Sequence, residues 1–267
     1  MTILDPPIAI GFTAEVYAWK DGQVLKLFNQ GKSERTVEKE ARLARIVYSS
    51  GLPVPAVGEV VKIGERFGLE YERVIGTSML QLFLSKPWRV DFYARMLAEL
   101  QADMHTRSLP EMPSLRDNLL RKIKNAGLLS ESLRQAALTA LDNLPEGDKL
   151  CHGDFHPGNI LLTRRGPVII DWIDATRGSP ILDVARSTLL FGGGPLPPGI
   201  PARWLVKLLR DRFYRIYLKR YFQLNPNDSQ QLLHWIPVVA AARLDENVHF
   251  DEPRLLAIAQ SLLVQTS

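Results

Sequence analysis

The sequence predicts an α+β protein in which strands and helices occupy different parts of the chain. Short apolar and β-branched runs separated by turn residues fill the first 74 residues, with one helical pattern among them. From residue 78 onward the patterns are mostly helical. Because strands and helices that segregate along a chain are typical of α+β folds, we expect a small antiparallel sheet with one main helix at 1–74 and a mostly helical part at 75–267.

Composition narrows the class of protein. The 267 residues are 46% hydrophobic and 23% charged, with no apolar run of about 18 residues, so no membrane partner is expected. The first residues lack the basic and apolar regions of a secretory signal, which predicts a cytoplasmic protein. The net charge is +4, but basic residues alternate with acids, which argues against a nucleic-acid partner. The single cysteine, Cys151, excludes a disulfide framework and is interpreted as a small buried strand residue.

The first part of the chain contains a hairpin signal and one amphipathic helix. Asp21-Gly22 is a strong turn pair between two apolar runs. A helical pattern with an apolar stripe covers 34–49. A first strand is predicted to begin at Ile8, and further strands span residues 16–19, 24–28, 59–63 and 67–71.

Two charged residues stand out in these elements. Lys26 lies inside an apolar strand, where a lysine is unusual. Glu40 lies on the apolar stripe of the helix, three residues from Val37 and from Leu43. A buried acid needs a cationic partner, so we expect Lys26 and Glu40 to pair. The alternative is that both are unrelated surface charges.

The second part is predicted to be helical apart from one central stretch. A long amphipathic helix at 89–107 comes first, and a Gly/Pro-rich linker covers 192–201. The other predicted helices span residues 114–126, 131–144, 180–191, 202–222, 228–244 and 252–264.

The central stretch contains residues suited to bind a metal ion and to act as a base. Asp154 and Asn159 are separated by a loop that includes Pro157-Gly158. Two apolar runs then follow around an Arg-Arg-Gly turn, and a hairpin closed this way brings Asp171 back beside Asn159. The Asn159 and Asp171 oxygens are hard ligands suited to Mg²⁺, which leaves Asp154 to act as a base.

From Leu150 to Asp183 the order and spacing of these residues resemble the aminoglycoside phosphotransferase/choline kinase family of protein-kinase-like enzymes. The matching motifs are H-G-D-x-x-x-x-N, then I-D-W at 170–172, and G-x-P-x-x-D-x-A from Gly178. The resemblance implies a two-lobed kinase-like fold, ATP and Mg²⁺ as cofactors, and phosphoryl transfer to a hydroxyl group. It makes Lys26 the phosphate-binding lysine with Glu40 as its partner.

The same resemblance assigns further nucleotide contacts. The segment that contains Gly11 and Thr13 stands where the family holds phosphates with backbone N–H groups. It has one glycine, and a plain turn at Gly11 remains the alternative. The segment 71–76 resembles the family's hinge, which implies that backbone groups of Glu72, Arg73 and Val74 bind the adenine. The domain boundary is then expected near residue 74.

Three residues around the loop receive supporting roles. The resemblance implies that Asp183 braces the loop from the following helix. His152 is expected to hydrogen-bond the loop backbone. His156 together with Asp154 could suggest zinc, but no second histidine stands at ligand spacing.

The acceptor is expected to be a small molecule. Only eleven residues separate Asp171 from Asp183, too few for the segment with which protein kinases dock a peptide. Asp174 is interpreted equally as a substrate-facing acid or as part of a surface loop. A cluster of acids near the C-terminus either attracts a cationic acceptor, such as an amino sugar or amino alcohol, or forms a solvated loop. These acids are Asp245, Glu246, Asp251 and Glu252.

Three functions are therefore compared. The first is an ATP-dependent kinase that phosphorylates a small molecule. The second is a nucleotide-binding pseudokinase or scaffold without transfer activity, which the irregular Gly11 segment leaves open. A basic nucleic-acid-binding protein is a distant third. The presence of every expected catalytic residue type favours the first.

Overall fold

The computed structural model describes residues 5–11, 13–144, 146–192, 194, 203–226, 229 and 231–265. The chain forms two compact units. The N-terminal unit comprises Met1–Met79 and Gly158–Ile173, and the C-terminal unit comprises Leu80–Pro157 and Asp174–Ser267. The predicted boundary between two lobes near residue 74 stays a prediction. The compact units are not the same as the predicted lobes, because residues 158–173 group with the N-terminal part of the chain.

The N-terminal unit is built on a five-stranded antiparallel sheet with strand order β1-β2-β3-β5-β4. Gly22, at φ +70°, makes the predicted turn between β2 and β3, and Val16 pairs with Lys26 across that hairpin. The strands are β1 Ala9–Ile10, β2 Ala14–Ala18, β3 Gln23–Phe28, β4 Val57–Ile63 and β5 Arg66–Glu72.

One helix packs against this sheet. Helix α1, Glu34–Ser49, has the predicted bounds, and Ser33 caps its N-terminus by accepting a hydrogen bond from the Thr36 amide. Its buried face includes Val37, Leu43 and Glu40, so the predicted apolar stripe is confirmed together with the acid that lies on it.

A second sheet of the N-terminal unit has the order β6-β8-β9. Strands β8 (Ile160–Thr163) and β9 (Gly166–Ile169) form the predicted hairpin. Strand β6 (Thr77–Ser78), which the sequence pattern did not identify, pairs with β8. Because that pairing and the Ile169 amide bond to the Pro53 carbonyl are internal contacts, the hairpin belongs to the N-terminal unit.

The C-terminal unit is helical around one short strand pair, in which β7 (Lys149–Cys151) runs antiparallel to β10 (Thr176–Gly178). Helix α7 packs against α3. Tyr217 and Tyr221, which are four residues apart and so lie on one face of α7, are both buried. The helices are α2 Met79–Ser85, which begins at the end of the N-terminal unit, α3 Val90–Met104, α4 Leu115–Asn125, α5 Glu131–Asn143, α6 Pro180–Phe191, α7 Arg203–Leu224, α8 Leu232–Arg243 and α9 Glu252–Gln265.

The helix predictions are confirmed with shifted ends. Helix α6 has the predicted bounds, whereas α8 begins at Leu232, four residues later than expected. Most of the predicted linker at 192–201, together with residues 202 and 228, lies outside the described residues. No helix among the described residues is both long and apolar enough to cross a membrane.

Candidate functional site

Lys26 is the centre of a charged cluster in the N-terminal unit. Its Nζ lies 2.8 Å from Glu40 Oε1 and 2.8 Å from Asp171 Oδ1. The Tyr71 hydroxyl also donates to Glu40 Oε1, at 2.9 Å. Strand β3 positions the lysine, α1 the glutamate, and the segment after β9 the aspartate. The expected pairing of Lys26 with Glu40 is therefore present as a contact.

The cluster keeps Lys26 charged. Burial by itself would lower the pKa of the Lys26 ammonium, but the carboxylates of Glu40 and Asp171 outweigh it and raise that pKa above its ordinary value. Burial raises the pKa of the Glu40 carboxyl, and the charge of Lys26 opposes this rise. A cation held between two acids is suited to contact polyphosphate oxygens.

Asn159 and Asp171 come together at the open end of the β8–β9 hairpin. The Ile170 amide donates to the Asn159 carbonyl oxygen at 3.0 Å, which holds the two ends side by side. Asp171 has φ +66°, in the left-handed region that non-glycine residues rarely adopt. Strand β9 ends at Ile169, so Asp171 lies just beyond it in this turn. One carboxylate and one amide oxygen fit Mg²⁺, which keeps waters and phosphate oxygens in its other positions.

The loop that contains Asp154 is held by buried residues of the C-terminal unit. The Asp154 amide donates to His152 Nδ1 at 3.2 Å, and the Gly153 amide donates to Asp183 Oδ1 at 2.7 Å. Gly153 has φ +78°, and a Cβ there would lie 2.5 Å from the Asp174 carbonyl oxygen. Only glycine fits this position, so the middle residue of the H-G-D motif has a steric explanation.

Asp154 is an ionised carboxylate at neutral pH. Burial by itself would raise its pKa, but a hydrogen bond and charge from His156, together with the charge of Arg186, lower it well below the ordinary value. His156 Nε2 lies 3.4 Å from Asp154 Oδ2. The carboxylate is suited to accept a hydrogen bond from a hydroxyl and, as a weak base, to take the proton only late in a reaction.

Sequence reasoning missed the second layer of contacts around this loop. Arg186 Nε donates to the Gly153 carbonyl, and its Nη1 lies 2.6 Å from Glu246 Oε1. Ser187 Oγ donates to the Phe155 carbonyl at 2.8 Å. Arg186 is three residues after Asp183 on α6, so the helical period places the two residues on the same side of the helix.

The C-terminal acids are ion-paired inside the C-terminal unit. Glu246 lies 2.7 Å from Lys122 Nζ, and Asp251 lies 2.6 Å from Arg254 Nε. Asp251 is 4% exposed, so it is not part of a solvated loop. Asp245 lies 3.9 Å from an Arg121 nitrogen, and Glu252 lies 2.8 Å from His249 Nδ1. Their role in binding an acceptor, and that of the half-buried Asp174, stays a prediction.

The two segments predicted to contact the nucleotide differ in which backbone amides already have hydrogen-bond partners. The Gly11 amide donates to the Ala14 carbonyl at 2.9 Å, and the Thr13 carbonyl accepts from Asn29 at 2.9 Å. In the hinge segment the amides of Glu72 and Arg73 donate to Ala56 and Gly22 carbonyls, at 2.9 and 2.8 Å. The Val74 amide has no hydrogen-bond partner among the described residues, and the adenine contact of this segment stays a prediction.

The model of the phosphotransferase enzyme family matches residues 6–226. No curated protein matches the sequence. Among solved structures, aminoglycoside phosphotransferase APH(4)-Ia has a TM-score of 0.66 at 16% identity, covering 98% of this chain and 93% of its own.

Two further solved structures are similar to this chain over most of their length. An amicoumacin kinase in complex with AMP-PNP, Ca²⁺ and its ligand has a TM-score of 0.62 at 13% identity, covering 98% of this chain and 90% of its own. A choline/ethanolamine kinase family protein from Mesorhizobium loti has a TM-score of 0.62 at 15% identity, covering 98% and 88%. These likenesses establish the predicted kinase-like fold class.

Proposed function

Because the chain belongs to the phosphotransferase enzyme family, we propose that it is an ATP-dependent kinase that transfers the γ-phosphoryl group to a hydroxyl of a small molecule. The single observation that best supports this is the cluster of Lys26, Glu40 and Asp171, which brings three distant parts of the sequence within hydrogen-bond distance. A largely buried cation between two carboxylates has no evident use in folding alone.

The residues of the N-terminal unit would bind and orient the nucleotide. Lys26 contacts phosphate oxygens, and Glu40 holds the lysine in position with help from the Tyr71 hydroxyl. The Val74 amide donates to the adenine. Asn159 and Asp171 would hold Mg²⁺, which offsets phosphate charge when it is bound.

The residues of the C-terminal unit would activate the acceptor. The Asp154 carboxylate accepts a hydrogen bond from the acceptor hydroxyl and takes its proton as the phosphoryl group transfers. Asp183 and Arg186 hold the loop through the Gly153 amide and carbonyl, so the carboxylate does not have to be oriented anew in each turnover.

A cationic small molecule, such as an amino sugar or amino alcohol, is the acceptor class that we propose. The solved structures with similar folds include enzymes for aminoglycosides and a choline/ethanolamine kinase family protein, which supports this class. Asp174 is half-buried, and its backbone packs against Gly153 of the loop that carries the proposed base.

A coupled assay of ADP release tests the proposal, with aminoglycosides, amino alcohols and neutral sugars as acceptors. With a competent acceptor, Asp154→Asn should lower kcat by about 10²–10⁴-fold and leave the affinity for MgATP nearly unchanged, because the base acts mainly in the transition state. The matched control is Asp142→Asn, which removes an exposed carboxylate of the same unit and should not change kcat. Near-normal turnover in Asp154→Asn would refute the assignment. MgATP binding without turnover on any acceptor would favour the scaffold hypothesis.

A further inference from the structure

A cavity of about 190 Å³ lies in the C-terminal unit, separate from the loop that carries Asp154. The start of α4, the end of α5, the junction of β10 with α6, and Trp235 of α8 form its walls. In the β7–β10 pair, Cys151 faces Thr176 at the end that continues into the Asp154 loop, whereas Gly178 lies at the other end, beside the cavity. We call it the Arg177 cavity.

Arg177 is the unusual cation in its wall. The guanidinium makes no hydrogen bond or ion pair with any described residue, and its Nε is shielded from solvent. The other arginine of the wall, Arg116, does have partners, since it donates to the carbonyls of Asp142 and Leu144 at 2.7 and 3.0 Å. A shielded guanidinium nitrogen without an acceptor destabilises the folded state, and an anion in the cavity would supply the acceptor.

Further donors line the same space. Trp235 is 1% exposed, and its indole N–H has no partner among the described residues. Ser114 Oγ accepts from the Asp117 amide at 3.2 Å, so its hydroxyl hydrogen remains to donate. Ser179 begins α6 without a side-chain capping bond, at the helix end that favours negative charge.

The remaining wall sets the size and character of a ligand. Leu141, Leu144 and Leu182 supply apolar surface. The carboxylates in the wall belong to Asp117 and Glu146, which are both exposed to water, and neither lies within ion-pair distance of Arg177. Exposed charges are weakened by solvent, whereas shielded donors are not. The balance favours a small anion with a short apolar part.

We propose that the Arg177 cavity binds a small oxyanion, such as a free phosphate or the phosphate or carboxylate group of a small metabolite. The guanidinium provides the forked pair of donors that matches two oxygens of such a group. The serine hydroxyls provide further donors, and the leucines contact the rest of the molecule. This site does not depend on the proposed phosphotransfer, and it involves none of the residues assigned to nucleotide or acceptor.

Calorimetric titration with inorganic phosphate and with citrate tests the site, and the two probes separate phosphate from carboxylate recognition. At least one should bind saturably, one per chain, with Kd of about 1 mM or tighter. Arg177→Gln should weaken that binding at least about tenfold, the loss expected when a charged hydrogen-bonding partner is removed. Arg95→Gln, which removes an exposed arginine of the same unit, is the matched control and should leave it unchanged. Lys26→Met should also leave it unchanged, since phosphate bound in the nucleotide site would be lost in that variant.

A second measurement keeps the test decisive if Arg177→Gln does not fold. In protein labelled with 5-fluorotryptophan, the Trp235 resonance, assigned by its absence in Trp235→Phe, should shift as the probe saturates. The proposal is overturned if neither probe binds saturably to the wild type, or if binding disappears in Lys26→Met. It is also overturned if binding survives Arg177→Gln undiminished, or if the Trp235 resonance does not move.

Discussion

Lys26 and Glu40 show how single residues define the candidate site. Glu40 is fully buried on an apolar helix face and Lys26 lies in an apolar strand, so either residue alone would be strongly destabilising. Each residue is the partner of the other, and Lys26 also contacts Asp171. Replacement of such a pair by apolar residues is often neutral for stability, so the pair is better explained by a function in binding than by a contribution to folding.

The pair should behave as one unit when MgATP binds. Lys26→Met and Glu40→Gln should each weaken MgATP affinity about tenfold or more, because loss of either partner misplaces or removes the proposed phosphate-binding cation. The double variant should bind MgATP only slightly less tightly than the single variant with the lower affinity, which corresponds to a coupling free energy of about 0.5–3 kcal/mol. Calorimetry of all four proteins measures this coupling. Additive losses in the double variant would show that the two side chains act independently.

At the scale of elements, Glu246 joins three helices of the C-terminal unit. Its carboxylate contacts Lys122 of α4 at 2.7 Å, Arg186 of α6 at 2.6 Å and Arg243 of α8 at 3.4 Å. Burial would raise the pKa of the Glu246 carboxyl, but Arg186 and Lys122 lower it to about 2. Since Arg186 also contacts the Gly153 carbonyl, the same network supports the Asp154 loop.

The network should make stability depend on pH. The folded-state pKa of Glu246 lies below its ordinary value of 4.5, so its contribution is present above about pH 4.5 and is lost as the pH falls toward about 2. A shift of this size corresponds to about 3 kcal/mol at neutral pH, at roughly 1.4 kcal/mol per pKa unit. Glu246→Gln should therefore lower the free energy of unfolding by about that amount at pH 7, and by less at pH 4, in urea titrations.

Asp245→Asn is the matched control for that measurement. It neutralises the adjacent residue, whose contact is a 3.9 Å pair with the largely exposed Arg121. Such pairs contribute between about 0 and 1 kcal/mol, so the variant should remain close to wild type at both pH values. A Glu246→Gln variant as stable as Asp245→Asn would show that the network does not stabilise the fold.

At the scale of the whole molecule, the residues assigned to nucleotide and to acceptor chemistry divide between the two compact units. The N-terminal unit contains Lys26, Glu40, Asn159 and Asp171. The C-terminal unit contains Asp154 and the residues that hold its loop, Asp183 and Arg186. The chain leaves one unit and enters the other between Pro157 and Gly158, within the H-G-D-x-x-x-x-N motif. The motif therefore contributes residues to both units.

This division predicts a pattern of hydrogen exchange. A non-hydrolysable ATP analogue with Mg²⁺ should slow amide exchange in the N-terminal unit, both around Val74 and in the distant hairpin at 158–171. Ligands slow exchange where they make local opening less favourable. Mass spectrometry of peptides resolves the two segments. The nucleotide assignment would be contradicted if the hairpin showed no change while the analogue was bound.

Local chemistry allowed much of the structure to be predicted. The Asp21-Gly22 hairpin, the bounds of α1 and α6, and the β8–β9 hairpin all follow from turn residues and from hydrophobic period. The Lys26–Glu40 contact follows because a buried charge requires a partner, which is a rule that applies without coordinates. The turns and helix bounds depend on residues that are close in sequence, and the Lys26–Glu40 contact depends on the need of a buried acid for a cation.

Other features were decided only by tertiary structure. Strand β6 has two residues, too few for any periodic pattern, and it exists because β8 supplies its hydrogen-bond partners. The acids near the C-terminus looked like a solvated loop or an acceptor site, yet Glu246 meets cations from α4 and α6 that lie 124 and 60 residues away. Sequence determines which residues are charged and which are apolar. Whether a charge faces water, a substrate or a distant partner depends on packing between elements, which brings residues together irrespective of their separation in the chain.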